Sequence, residues 1–233
     1  QPTLSPLRPD VGSFLFHAFA PDAVVQPETS AEKAAARWRD SERWFGVAYV
    51  GSNWQRWEQV RDFFKAHAPV RKEVGWAGLI GWDWEERPEW AIQQGIVGIA
   101  TDPELLLSMD VTVKGGVRFD EIFRYLNQSK FAPVFHRPLF RHLNFVTGRS
   151  FETFHADTVP LLMLPRPFVE AIYGPAALAL VPGEDIAGYL TKALKEPEPI
   201  WDAVIKTRAH LAAHHSYARR FEELAALAAR RAR

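Results

Sequence analysis

Apolar positions along this chain come in two patterns, short continuous runs and longer stretches at helical spacing. Residues 45–50 (FGVAYV) are a run of the first kind and meet Gly51-Ser52-Asn53. Trp57, Val60, Phe64 and Ala68 then recur at helical intervals, closed by Pro69, so the unit predicts strand, tight turn and helix. The same reading predicts a strand over 76–81 (WAGLIG), a short apolar run at 95–100 (GIVGIA), a strand over 111–113, a helix over 119–126 and an apolar run at 131–135. Asp102-Pro103-Glu104 supplies an N-cap, a first-turn proline and a first-turn acid. Residues 145–164 pass through a glycine turn, an arginine, a short helical segment and an apolar run ending in LLML. Further on, the pattern predicts a short helix over 168–173, a strand over 176–181 (AALALV) and helices over 185–194 and 200–213. A last helix starts near Tyr217, capped by Ser216 and expected to bury Tyr217, Phe221, Leu224 and Ala228.

Strands alternating with helices at this spacing predict an α/β fold, a Rossmann-like parallel sheet with helices on both faces, followed by three C-terminal helices. Right-handed crossovers place the strand-end loops on one edge, so Gly51–Asn53, Trp82–Glu85, His136–Arg137 and Gly148–Glu152 are expected to converge. Residues 1–40 form no clear strand–helix unit. Prolines at 2, 6, 9, 21 and 27 interrupt them, leaving an apolar patch at 14–20 and a helix at 31–39. They read as a lead-in or linker ahead of a domain spanning 41–233.

Composition narrows the partners. A formal net charge of zero gives no whole-chain electrostatic case for nucleic acid, and no apolar run approaches the roughly 18 residues a membrane span needs. The absence of cysteine excludes disulfides and thiolate metal sites and suits a reducing compartment, so a cytoplasmic location is expected. No basic stretch followed by an apolar one opens the chain, so no signal peptide is visible. The first residue is Gln1 rather than Met, which fits a processed chain or a piece of a longer one.

The stretch 145–164 carries the most suggestive chemistry. Ser150 is placed to cap the helix after it, and Arg149 stands at that helix's mouth, where free amides and the dipole favour an anion. Glu152, in the first turn, can accept two hydroxyls of a sugar ring, so the pair suits a phosphate and a ribose. A surface ion pair between Arg149 and Glu152 explains the same spacing. Gly51-Ser52-Asn53 can turn its amides towards a ligand or serve only as a turn, and no Walker loop or full GxGxxG is present. Eight of the nine tryptophans fall between Trp38 and Trp90, as packing or as stacking faces for a sugar or base. His210 and His214 have metal-compatible spacing but no third ligand, so packing or surface roles suit them better. The closing Arg230, Arg231 and Arg233 read as a solvated helix end. No nucleophile elbow and no Asp-x-Asp pair occur, so a bound diphosphate would have to be met by arginine, histidine and helix termini.

YVGSNW (49–54), HRPLF (136–140), GRSFETFHADTVPLL (148–162), PGEDI (182–186) and HHSYARR (214–220) together resemble the C-terminal nucleotide-sugar-binding half of a GT-B glycosyltransferase, of the CgeB-like, spore-maturation-type group. The resemblance runs from Phe45 to the end of the chain. It implies metal-independent transfer of a glycosyl group from a nucleotide-diphosphate sugar to an unknown acceptor, with no cofactor and no metal. Carried over residue by residue, it implies Glu152 on the ribose and Arg149 on the diphosphate. Gly51, Ser52, Asn53 and Arg56 would approach the phosphates or the sugar, His136 and Arg137 would stand nearby, and Asp157 and Thr158 would line the turn back into the sheet. Family members commonly have a small residue where this chain has Asp157, and the loop here is one residue longer. A complete GT-B enzyme also carries an N-terminal acceptor domain; only about 40 residues precede the first strand here, so the expectation is a donor half whose partner domain is missing. No catalytic base is assigned. The alternatives are a non-catalytic nucleotide- or sugar-binding module and a protein-interaction module using the tryptophan-rich face.

Overall fold

The structure, a computed structural model, describes residues 17–96 and 98–231. Phe14 to Phe16 of the apolar patch, the first three prolines, Val97, Arg233 and the side chains of Arg230 and Arg231 lie outside the described residues. In chain order the first elements are α1 (Ala31–Asp40), β1 (Phe45–Val50), α2 (Trp57–His67), α3 (Arg71–Val74), β2 (Ala77–Ile80), α4 (Glu89–Gln93), α5 (Pro103–Ser108) and β3 (Val111–Lys114). They are followed by α6 (Ile122–Asn127), β4 (Ser129–Val134), α7 (Pro138–His142), α8 (Arg149–His155), β5 (Val159–Leu162), α9 (Arg166–Tyr173), α10 (Ile186–Lys195), α11 (Pro197–His214) and α12 (Tyr217–Arg231).

Among the described residues five strands form one all-parallel sheet, ordered β3-β2-β1-β4-β5. The chain steps outward from β1 to β3, returns across β1 and lays down β4 and β5. Strand order therefore reverses between β1 and β4, the position where open parallel sheets leave a crevice at their carboxyl edge. Side chains alternate between two unequal cores. Val47 and Tyr49 point into a large one with Trp38, Phe63, Phe64, Phe131 and Leu161, whereas Ala48 and Val50 face a smaller one with Ile80, Tyr125 and Leu126. The fold is thus the Rossmann-like arrangement expected from the apolar pattern.

Three expectations change. Residues 176–181 are not a strand; Pro175–Leu180 is a 3-10 turn that buries Ala177 and Leu180, three positions apart, against α11 and α9. A short apolar run has no period long enough to separate strand from buried helix, and Gly174 (φ 81) with Pro175 starts a tight turn instead. On α12 the expected stripe is exposed, with Tyr217 at 54%, Phe221 at 68% and Leu224 at 44%. The helix docks through Arg220, which is buried, donates to the His17 carbonyl and pairs with Glu223. Its cap is as expected, Ser216 Oγ accepting from the Arg219 amide. Finally, residues 17–40 are part of the packed body. Phe19 is buried and stacks on His155 with ring centroids 4.6 Å apart, the Ala20 amide donates to His155 Nε2, and Arg208 donates to the Gln26 carbonyl. Trp38 on α1 is fully buried between Phe131 and Trp201. Partners some ninety or more positions away leave no local periodicity to read.

At the amino edge of the sheet, Asp157 collects Arg37 (2.7 Å) and Arg43 (2.8 Å), and its amide donates to Asn127 Oδ1. Thr158, just before β5, donates to the Lys130 carbonyl. Burial alone would raise the Asp157 pKa, but the hydrogen bond from Arg37 and the charges of Arg43 and Arg37 more than offset it, so the carboxyl is held below its ordinary value of 3.8. Asp157→Ala leaves the Arg43 guanidinium, only 3% exposed, without its counter-ion and is expected to cost about 3 kcal/mol of stability at neutral pH. A lowered folded pKa stabilises the fold above the unfolded value and ceases to as the folded group protonates. Thermal melts of wild type and Asp157→Ala should therefore differ most at neutral pH and converge as pH falls below 3.8.

Candidate functional site

The carboxyl edge is built differently. The chain leaves β1 through Gly51–Asn53, and that turn braces residues 81–102, the long excursion between β2 and α5. Asn53 is fully buried; its Nδ2 donates to the Asp83 and Ala100 carbonyls, both at 2.8 Å, and its amide donates to the Trp82 carbonyl. Trp84, also fully buried, donates its indole N–H to the Gly51 carbonyl, while the Gly51 amide bonds to Ile80. A Cβ on Gly81 would lie 2.1 Å from the Gly51 oxygen, so that close approach requires glycine. The Gly51 amide is therefore spent on the end of β2 and the Asn53 amide on the excursion. The Ser52 carbonyl accepts from Arg56 Nη1 at 3.2 Å.

From β4 the chain passes through Phe135, edge-on to Tyr49, to His136, 2% exposed. His136 Nε2 lies 3.3 Å from Ser150 Oγ, and its carbonyl accepts from Gln59. Burial, helped by the charge of Arg56, lowers its pKa to about 4, so the imidazole is neutral at neutral pH. Ser150 is not the N-cap. It is buried in the first turn of α8, where its hydroxyl accepts from the Thr147 amide. The amides of Ser150, Phe151 and Glu152 already donate to the Thr147 and Gly148 carbonyls. Arg149 Nη1 pairs with Glu152 Oε2 at 2.8 Å, both partly shielded, so the ion pair weighed for this spacing is the one formed.

Arg56 and Arg137 are the cations this edge leaves open. Among the described residues neither has a carboxylate partner, and the Nε of each is buried with no hydrogen-bond acceptor. Arg137 lies over the Phe140 ring at 3.7 Å and reaches to 5.8 Å from the Trp54 centroid. Burial lowers the Arg137 pKa, and the Arg56 charge lowers it further. Two guanidinium groups feel each other's charge here with no acid paired to either among the described residues, an arrangement that favours an anion. Tyr49 joins them from below: burial raises its pKa, and the charges of Arg56 and Arg149 pull it back.

Gly51–Asn53, Arg56, His136, Arg137, Arg149 and Glu152 thus meet at one edge, while Asp157 and Thr158, at the other end of β5, stand apart from it. Trp54, one of the tryptophans weighed as stacking faces, lies at the site, and Tyr49 and Phe140 join it although neither was named there as a ligand contact. The one signal for Tyr49 is a hydroxyl on a strand, 45–50, whose other side chains are all apolar. His17, from the lead-in, comes near Glu152, since a Cβ on Gly148 would lie 3.7 Å from His17 Nδ1 and 3.3 Å from Glu152 Oε1. His210 and His214 lie with ring centroids 4.5 Å apart and planes tilted by 43°, and among the described residues no group of three or more His, Asp or Glu is placed to hold a metal ion. Among the same residues no helix is long and apolar enough to cross a membrane. The chain matches no protein-family profile and no curated protein.

Burial accounts for most of the fall in the His136 pKa and the nearby Arg56 charge adds to it, which gives a direct check. In an NMR titration of imidazole C–H shifts, His136 is expected to titrate near pH 4, and Arg56→Ala should raise that midpoint. An unmoved midpoint would contradict the proximity of the two groups.

Proposed function

We propose that the chain is the donor-binding half of a GT-B-type glycosyltransferase, holding a nucleotide-diphosphate sugar at the carboxyl edge of the sheet. One observation carries this reading: Arg56 and Arg137, uncompensated by any carboxylate among the described residues, share the crevice where strand order reverses. In transfer, the bond between the sugar's anomeric carbon and a diphosphate oxygen breaks, and its electron pair leaves with the diphosphate. An acceptor oxygen bonds to the anomeric carbon and gives up its proton. Charge grows on the departing diphosphate, and guanidinium groups fixed beside it stabilise that growth through charge-assisted, bidentate hydrogen bonds. Arg149 extends the cationic wall. Glu152, held in place by Arg149, accepts the ribose hydroxyls. His136, neutral at working pH, positions the edge through Ser150 and Gln59 rather than adding charge. Asp157 and Thr158 serve the fold at the other edge. A non-catalytic nucleotide-binding module would use the same cluster, and transfer of label from donor to acceptor separates the two.

Calorimetric titration with uridine, guanosine, adenosine and thymidine diphosphates and their sugars tests the assignment. At least one should bind saturably, and Arg56→Ala and Arg137→Ala should each weaken it by roughly tenfold or more without lowering the melting temperature. Arg149→Ala and Glu152→Ala should also weaken binding. No saturable binding of any of these ligands, or unchanged affinity in all four variants, would remove the proposal.

A further inference from the structure

Residues 81–102 are long for a connection inside a compact domain, and such segments are commonly functional. This one is pinned rather than loose. Trp84 and Asn53 anchor it, Arg87 donates to the Ile96 carbonyl at 2.6 Å, and Thr101 donates to the Trp84 carbonyl. On this fixed base two indoles face outward. Trp54 is 42% exposed and Trp90, on α4, 38%; their centroids are 5.6 Å apart with planes 36° from parallel. Arg137 lies 5.8 Å from the Trp54 centroid, so the ring pair begins where the cationic cluster ends. Glu89 and Gln93, hydrogen-bonded to each other at 3.0 Å, flank Trp90 and are exposed, with further donor and acceptor positions open to solvent. Backbone strain falls on the same ground. Gln55 (φ 56) follows Trp54, and Asp83 (φ 68) gives its carbonyl to Asn53.

Rigid apolar rings bordered by amide and carboxylate groups suit a ligand with flat C–H faces and a rim of hydroxyls, the description of a pyranose ring. A nucleobase would also stack on the rings, but one flat edge offers fewer partners than a rim of hydroxyls for a carboxylate and an amide side by side. We propose that Trp54 and Trp90 are a stacking platform for a saccharide acceptor, whose hydroxyls are held by Glu89 and Gln93 beside the Arg56–Arg137 anion cluster. This rests on the donor reading above, and it names the class of the second substrate. A saccharide on Trp54 stands one side chain away from a diphosphate held by Arg137, the juxtaposition that transfer between them requires.

The test follows indole N–H resonances while chitohexaose, cellohexaose and maltohexaose are added without nucleotide. The Trp54 and Trp90 signals should move with at least one of them, while those of buried Trp38 and Trp201 should stay. Trp90→Ala should weaken that saccharide about tenfold and leave nucleoside-diphosphate affinity within about twofold, and Arg56→Ala should do the reverse. If no saccharide moves the two indole signals, or if Trp90→Ala binds the saccharide as wild type does, the platform is refuted. If a nucleoside alone moves them and saccharides do not, the rings stack a base and the proposal falls. Loss of nucleoside-diphosphate binding in wild type would sink the donor reading separately, since the saccharide titration contains no nucleotide.

Discussion

An all-parallel sheet requires every strand to be brought back to the same starting edge, and that constraint organises this molecule. Each crossover delivers a loop to the carboxyl edge, and strand order reverses between β1 and β4, the position at which open parallel sheets part such loops. The residues that follow β1 and β4, Arg56 and Arg137 among them, are neighbours for that reason alone. They lie 81 positions apart in the chain, as their numbers show.

The two edges treat arginine in opposite ways. At the amino edge Arg37 and Arg43 converge on Asp157, and their charge is answered inside the protein. At the carboxyl edge Arg149 is answered by Glu152, while Arg56 and Arg137 have aromatic and carbonyl contacts but no acid among the described residues. Both groups are half-exposed, with only their Nε atoms buried and unpaired, so their charge is left to solvent or to an anion from outside rather than to a carboxylate of the fold. Polar groups that pattern reading would offer to that anion are instead committed to structure. Asn53 holds the excursion, Ser150 holds the start of α8, and His136 stays neutral between them.

Much of the scaffold was legible in the chain because four of its five strands are largely buried on both faces and read as apolar runs, and because capping residues such as Asp102 and Ser216 announce helix starts. The run at 176–181 was misread as a strand, since six apolar residues carry no period to distinguish one buried element from another. Periodicity found the apolar side of α12 but could not say that the body lies against Arg220 instead. At the site, spacing pointed to loops that do meet at one edge, but it could not show which side chains pair there. Arg149 and Glu152 are close in sequence and conspicuous, yet they answer each other. Arg137 gains its meaning from Arg56 and Trp54, and Asp157 from Arg37 and Arg43, and only tertiary contact supplies those pairings.

The central claim is that Arg56 and Arg137 hold the phosphates of a nucleotide. Crystals grown with a nucleoside diphosphate carrying selenium on its terminal phosphate would locate that group by anomalous scattering. The account predicts a peak within hydrogen-bonding reach of both guanidinium groups, at the carboxyl ends of β1 and β4. A peak at the amino edge near Arg37 and Arg43, or bound nucleotide whose phosphates touch neither Arg56 nor Arg137, would contradict it.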